Sequence, residues 1–165
     1  VGGFAPGGAG AERRPPAASA APGDVLSGCP PPHPRPRGYS LASKALLEVA
    51  GRRLEDPAFD GAHHSIADEL LSPSVIYAPA ILELLRHVDV HGVAHITGGG
   101  LIENPPRAIA EGLVARFDWN ACLTPPVFSW LQEPGGVSDL ELRRTFNCGV
   151  GLMLIVVPHE LPVVL

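Results

Sequence analysis

The stretch His95-Ile96-Thr97-Gly98-Gly99-Gly100-Leu101-Ile102-Glu103-Asn104-Pro105-Pro106-Arg107 decides how this chain is read. An apolar run, Val93 to Ile96, ends in three successive glycines, and an acid, an amide and an arginine follow closely. Glycine has no Cβ, so its backbone can approach a ligand and turn N–H groups toward one point. Arg107 offers a planar fork for phosphate or carboxylate. The physical reading is a strand that runs into an anion-binding turn. A bare glycine triplet is an ordinary loop signal; the flanking His, Thr, Asn and Arg make this one more specific.

Outward from that turn, the pattern before it is helical. Leu41, Ala45, Leu46 and Val49 share a face, with Ser40 placed to cap the helix and Gly51 to close it. Ser65 to Leu71 reads as a short helix capped by Ser65. Tyr77, Ile81, Leu84, Leu85 and Val88 recur at helical spacing, with Pro79 in the first turn. The period then falls to two, giving strand candidates at Val93–Thr97 and Leu113–Asp118. Thr124-Pro125-Pro126 opens a helix carrying Val127, Phe128, Trp130 and Leu131, which Gly135-Gly136 ends. Ser138 caps another helix through Arg144. Gly151 to Val157 suits a buried strand, and Pro158 through Leu165 begins one more helix.

The first 37 residues are different, holding nine of the 19 prolines and seven of the 19 glycines. That composition predicts an irregular segment, in which only Gly23-Asp24-Val25-Leu26 reads as a turn entering a short strand. The expected organisation is thus an irregular piece over 1–37 and a domain over 38–165.

The 165 residues suit one domain, and 45% apolar content with a mean hydropathy of +0.18 argues for a folded chain. A net charge of −5 and the lack of a basic stripe argue against nucleic acid as a partner. The apolar run Leu152 to Val157 is too short to cross a bilayer, so no membrane role is expected. Cys29, Cys122 and Cys148 form no Cys-x-x-Cys pair, which fits a reducing, cytoplasmic setting and no zinc site. No leader opens the chain, and its first residue, Val1, suggests that the natural start lies upstream.

His87, His91 and His95 are spaced by four, but Gly92 interrupts any helix that would align them. On an extended segment His91, Val93, His95 and Thr97 share a face instead. His63 and His64 sit in a loop. No third and fourth ligands accompany either group, so no metal site is expected, and solvated histidines are the better account. Cys148 reads as a packing residue at the start of a buried strand. Glu103 is placed to act as an acid or base or, the better account, to orient Asn104 and Arg107.

Several stretches together resemble the C-terminal half of the phosphoribosylformylglycinamidine cyclo-ligase, or aminoimidazole ribonucleotide synthetase, family. They are Gly23-Asp24-Val25-Leu26, Gly38-Tyr39-Ser40-Leu41, Leu70-Leu71-Ser72-Pro73 with Ile76-Tyr77, the glycine triplet with Glu103-Asn104 and Pro106-Arg107, Pro125-Pro126-Val127-Phe128, Trp130-Leu131-Gln132, and Arg144-Thr145-Phe146-Asn147-Cys148-Gly149-Val150-Gly151. The resemblance implies an α/β fold, a mixed β-sheet with helices packed on one face, incomplete at its C-terminus. It also implies an ATP-dependent ring closure in purine biosynthesis, from formylglycinamidine ribonucleotide to aminoimidazole ribonucleotide with release of ADP and phosphate. Thr97, Gly98, Gly99, Gly100, Asn104 and Arg107 would then bind substrate or phosphate, and His95 would line the cleft as a catalytic, proton-handling group. ATP and Mg²⁺ would be held mainly by an N-terminal domain, which would also form a homodimer.

Formylglycinamidine ribonucleotide synthetase and selenophosphate synthetase resemble the same architecture, but the Thr-Phe-Asn-Cys-Gly-Val-Gly stretch favours the cyclo-ligase. A non-catalytic remnant is the reading from another class. The departures are Pro105, Arg143 and, above all, Cys29 to Arg37, where the family has a Ser- and His-bearing loop. Leu-Pro-Ser-Ser codons read one base out of phase give Cys-Pro-Pro-Pro, which points to a local frame error. Resequencing codons 28 to 38 decides that point; an intact frame there retires it.

Overall fold

The computed structural model describes residues 19–30, 39–73, 75–122 and 124–164. Its elements are β1 (Val25–Cys29), α1 (Tyr39–Ser43) continuing into a π-helical turn (Lys44–Val49), α2 (Ile66–Leu71), α3 (Ala78–Leu84), β2 (Val90–His95), α4 (Gly100–Glu103), a 3₁₀ turn (Pro105–Ala108), α5 (Pro126–Gly135), α6 (Asp139–Thr145), β3 (Leu152–Val156), a second 3₁₀ turn (Pro158–Glu160) and α7 (Leu161–Val164). The suspected frame error at 29–37 falls largely outside the described residues.

β3 is central in a sheet of order β1-β3-β2. All five of its residues are buried, which an uninterrupted apolar run without polar alternation requires. The larger helical layer packs on one face, as expected: Ala94, Ile96, Met153 and Ile155 meet Leu46, Val127, Phe128, Leu131 and Leu142. The opposite face is covered too, because Leu152, Leu154 and Val156 alternate outward and gather Ile81, Leu84 and Val164 from α3 and α7. Both ladders are antiparallel, so the parallel component of a mixed sheet is not among the described strands. β1 draws five residues of the proline-rich segment into the sheet.

Local chemistry explains most boundaries. Ser65 caps α2 through a reciprocal box, its Oγ accepting from Asp68 N–H while the Asp68 carboxylate accepts from Ser65 N–H. Ser138 caps α6, and Gly136 closes α5 in the left-handed region. β2 starts three residues earlier than the sequence suggests and carries a bulge at His91.

Three expectations need correction. α1 is already under way at Tyr39, so Ser40 lies inside its first turn and not at its cap. Val49 is 59% exposed, not on the core face, because the chain widens into a π-turn. There Ala50 N–H donates to Ala45 and Arg52 N–H to Leu46, which rotates the next residue off the apolar stripe. Leu113–Asp118 is not a strand. Its alternation is held by rings instead of a ladder: Phe117 stacks on Trp119 at 5.0 Å, and the Arg143 guanidinium lies 4.3 Å over the Trp119 ring.

Candidate functional site

β2 ends at His95, and its chain direction delivers the glycine triplet to the sheet end where β3 begins. Ile96 N–H donates to Gly151 O at 3.0 Å, and Gly151 N–H donates to Cys29 O at 3.0 Å. The ends of β1 and β2 and the start of β3 are thereby fixed at one edge. His95 is exposed there, its ring edge-on to Tyr77 with 6.3 Å between centroids.

The turn itself is braced from inside. Thr97 N–H donates to Asn104 Oδ1 at 2.7 Å, Gly100 N–H to Thr97 O at 2.9 Å, and Glu103 N–H to Gly99 O at 2.9 Å. Among the described residues, the N–H groups of Gly98 and Gly99 have no protein acceptor. Gly98 is exposed and open: a Cβ there would meet nothing within 4 Å. Gly100 is different. It is buried at φ +55°, and a Cβ there would run into the backbone carbonyls of Arg143 and Arg144 at the end of α6.

The six residues expected to bind phosphate or substrate are therefore brought together in one segment but do not stand alike. Gly98 and Gly99 present free donors. Thr97 and Gly100 have their N–H groups committed, and Gly100 serves helix packing. Asn104 is 5% exposed, with its carbonyl oxygen turned to Thr97. Arg107 is exposed and forms no ion pair among the described residues. Glu103 faces Arg144, with 3.9 Å from Oε1 to Nε, and not Arg107. Arg144 lies in the Arg144-Thr145-Phe146-Asn147 motif, but nothing in the sequence shows that α6 ends against α4 and brings it to this turn.

The other groups find bland roles. His91 and His64 are not simply solvated: His91 Nδ1 lies 2.8 Å from Asp24 Oδ2, and His64 Nε2 lies 2.6 Å from the buried Glu69 carboxylate. His87 pairs with Glu83 on the surface. Cys148 packs as expected but lies in a turn ahead of β3, at φ +47°, with its thiol pushed up to about 12 by burial. Among the described residues no three His, Cys, Asp or Glu side chains converge on a point that could hold a metal ion.

A cavity of about 580 Å³ opens on the β1 side, lined by Leu26, Ile109, Leu113, Phe117, Val150 and Ile155 among others. None of residues 95–107 lines it, and its walls are mostly aliphatic and aromatic. Arg116 lines it, but so do Asp24 and Asp118, whose carboxylates oppose a bound anion, so the glycine turn is taken as the candidate anion site. Among the described residues, no helix is long and apolar enough to cross a membrane.

Comparison with known proteins gives the family. Residues 21–165 match the family profile described as AIR synthase related protein, C-terminal domain. The chain is 47% identical over 135 residues to phosphoribosylformylglycinamidine cyclo-ligase of Paraburkholderia phymatum, covering 82% of this chain and 37% of that protein. It is 46% identical over 136 residues to the protein of the same name from Paraburkholderia xenovorans, with the same shares of 82% and 37%. The chain thus spans little more than a third of the length of these relatives.

Proposed function

The chain belongs to the AIR synthase related family, of which it carries the C-terminal domain, and from that premise we propose that it serves a cyclo-ligase of purine biosynthesis. In this reading ATP phosphorylates the amide oxygen of formylglycinamidine ribonucleotide. The neighbouring amine then attacks that carbon and phosphate leaves, giving aminoimidazole ribonucleotide and ADP. The carrying observation is the turn after β2, where Gly98 is exposed, Gly99 is half-buried, and neither N–H has a protein acceptor among the described residues.

Those two donors would hold a phosphate group, with Thr97, Gly100 and Asn104 fixing the turn and Arg107 free to swing its guanidinium toward the charge. His95, exposed beside Tyr77, would face the reacting groups as a proton-handling side chain. By the family resemblance, the Mg²⁺ ion and most ATP contacts are assigned to an N-terminal domain, for which the longer relatives have room. The same assignment covers the homodimer, and the cysteine usage fits a cytoplasmic setting.

The test is ATP-dependent formation of aminoimidazole ribonucleotide from formylglycinamidine ribonucleotide, by the chain alone and mixed with a relative's N-terminal domain. Turnover that requires both pieces, and falls at least tenfold with R107A or H95A, is the expected result (tenfold is about 1.4 kcal/mol of transition-state stabilisation). No turnover from either arrangement would favour a non-catalytic remnant.

A further inference from the structure

The Asn104 side chain is buried and reaches into the glycine turn. It is 5% exposed. Its Oδ1 accepts Thr97 N–H at 2.7 Å, the shortest of the bonds that close the turn. On the other side, its Nδ2 sits so near Gly99 that a Cβ on that glycine would lie 3.0 Å away. The backbone closes the circle, since Asn104 N–H donates to Gly100 O at 3.3 Å and Gly100 N–H donates to Thr97 O. Pro105 is fully buried and Pro106 follows at once, so the chain beyond Asn104 cannot shift to release the side chain.

We propose that Asn104 is a positioning residue: it does not touch the phosphate but fixes the Thr97 amide, so that the next two amides, Gly98 and Gly99, point outward. The inference rests on the reading of that turn as a phosphate site. Three adjacent N–H groups on a flexible glycine run would otherwise compete for the same acceptors, and Thr97 is the one residue of the four that has a side chain to restrict it. Tying down the first amide selects the direction of the next two. A buried carbonyl oxygen achieves this without bringing a charge near the anion.

The test uses the full chain, ¹⁵N-labelled, with N104L and N104D, which removes or keeps an acceptor at the same distance from the backbone. Amide hydrogen exchange at Thr97 should speed up about tenfold in N104L, the loss expected for one hydrogen bond, and stay near the parent rate in N104D. Inorganic pyrophosphate should shift the Gly98 and Gly99 amide signals of the parent and leave those of N104L unmoved. Unchanged Thr97 exchange in a folded N104L overturns the proposal, as does equal loss of protection in N104D. A parent whose glycine amides ignore pyrophosphate, while Thr97 responds to the variants as stated, overturns the phosphate site and leaves the bracing role of Asn104 standing.

Discussion

His91 Nδ1 and Asp24 Oδ2 lie 2.8 Å apart and join the bulge in β2 to the turn that enters β1, across the width of the sheet. Both side chains are largely buried, at 17% and 8% exposed. The hydrogen bond to Asp24 holds the imidazole above its ordinary 6.5, against the opposing effect of desolvation. For Asp24, desolvation is the largest influence and pushes upward, but the Ala21 N–H and His91 together outweigh it and hold the carboxyl below 3.8.

The sign of the pH dependence follows. His91, raised on folding, contributes stability that is fully present below pH 6.5 and is lost as pH rises through its folded value. Asp24, lowered on folding, contributes stability that is present above pH 3.8 and is lost as pH falls through its folded value. The pair therefore stabilises the fold most between those limits. Thermal melts at pH 5.5 and pH 8 should show a drop in Tm for the parent that is smaller in H91Q. Equal drops in both would remove His91 as the cause.

Gly98 and Gly100 should separate cleanly under alanine substitution. Gly100→Ala places a Cβ into the backbone of Arg143 and Arg144 at a positive φ, which should cost about 2–5 kcal/mol from strain and overpacking together. Gly98→Ala meets open space and should cost less than about 1 kcal/mol. Urea titration of the two variants reads the difference directly. A destabilised G98A or a neutral G100A would contradict the packing described here.

The three cysteines should differ in reactivity. Burial pushes all three thiols up, Cys148 farthest, to about 12, with only 4% of that residue exposed. Iodoacetamide at pH 8 should therefore modify Cys29 and Cys122 slowly and spare Cys148 until denaturant is added, since the thiolate is the nucleophile. Peptide mass mapping after a timed exposure reports this. Early labelling of Cys148 would show that the turn ahead of β3 opens readily.

Much of this fold could be read in the residues because local and tertiary preferences agree. Ser65 and Ser138 cap the helices they announce, Gly136 ends α5, and the unbroken apolar run at 152–156 becomes the strand buried on both faces. The failures arise where one spacing of residues fits more than one conformation. Leu113–Asp118 alternates like a strand, but Arg143 and Trp119 hold it without a ladder. Val49 repeats at helical spacing, but a π-turn moves it outward. At the site, the residue types pointed to the glycine turn. The sequence did not show that Gly100 is a packing glycine or that Glu103 turns to Arg144, because α6 lies some forty residues further along the chain, and the side-chain direction of Asn104 depends on how the turn closes on Thr97.

Glu69 gives the last prediction. It is 7% exposed; His64 Nε2 meets its Oε2 at 2.6 Å, while Oε1 has no hydrogen-bond partner among the described residues. A buried carboxylate with half its capacity unmet depends heavily on the partner it has. His64 is 41% exposed, so its own removal leaves little cavity. The H64A variant should therefore lose about 1–3 kcal/mol, mainly through the stranded carboxylate. Replacing both groups removes the burial cost together with the bond, so H64A/E69M should recover most of that loss, as buried pairs exchanged for apolar side chains often do. Urea denaturation of the parent, both single variants and the double closes the cycle. Simple additivity of the two single losses would show that the pair does not act as a unit.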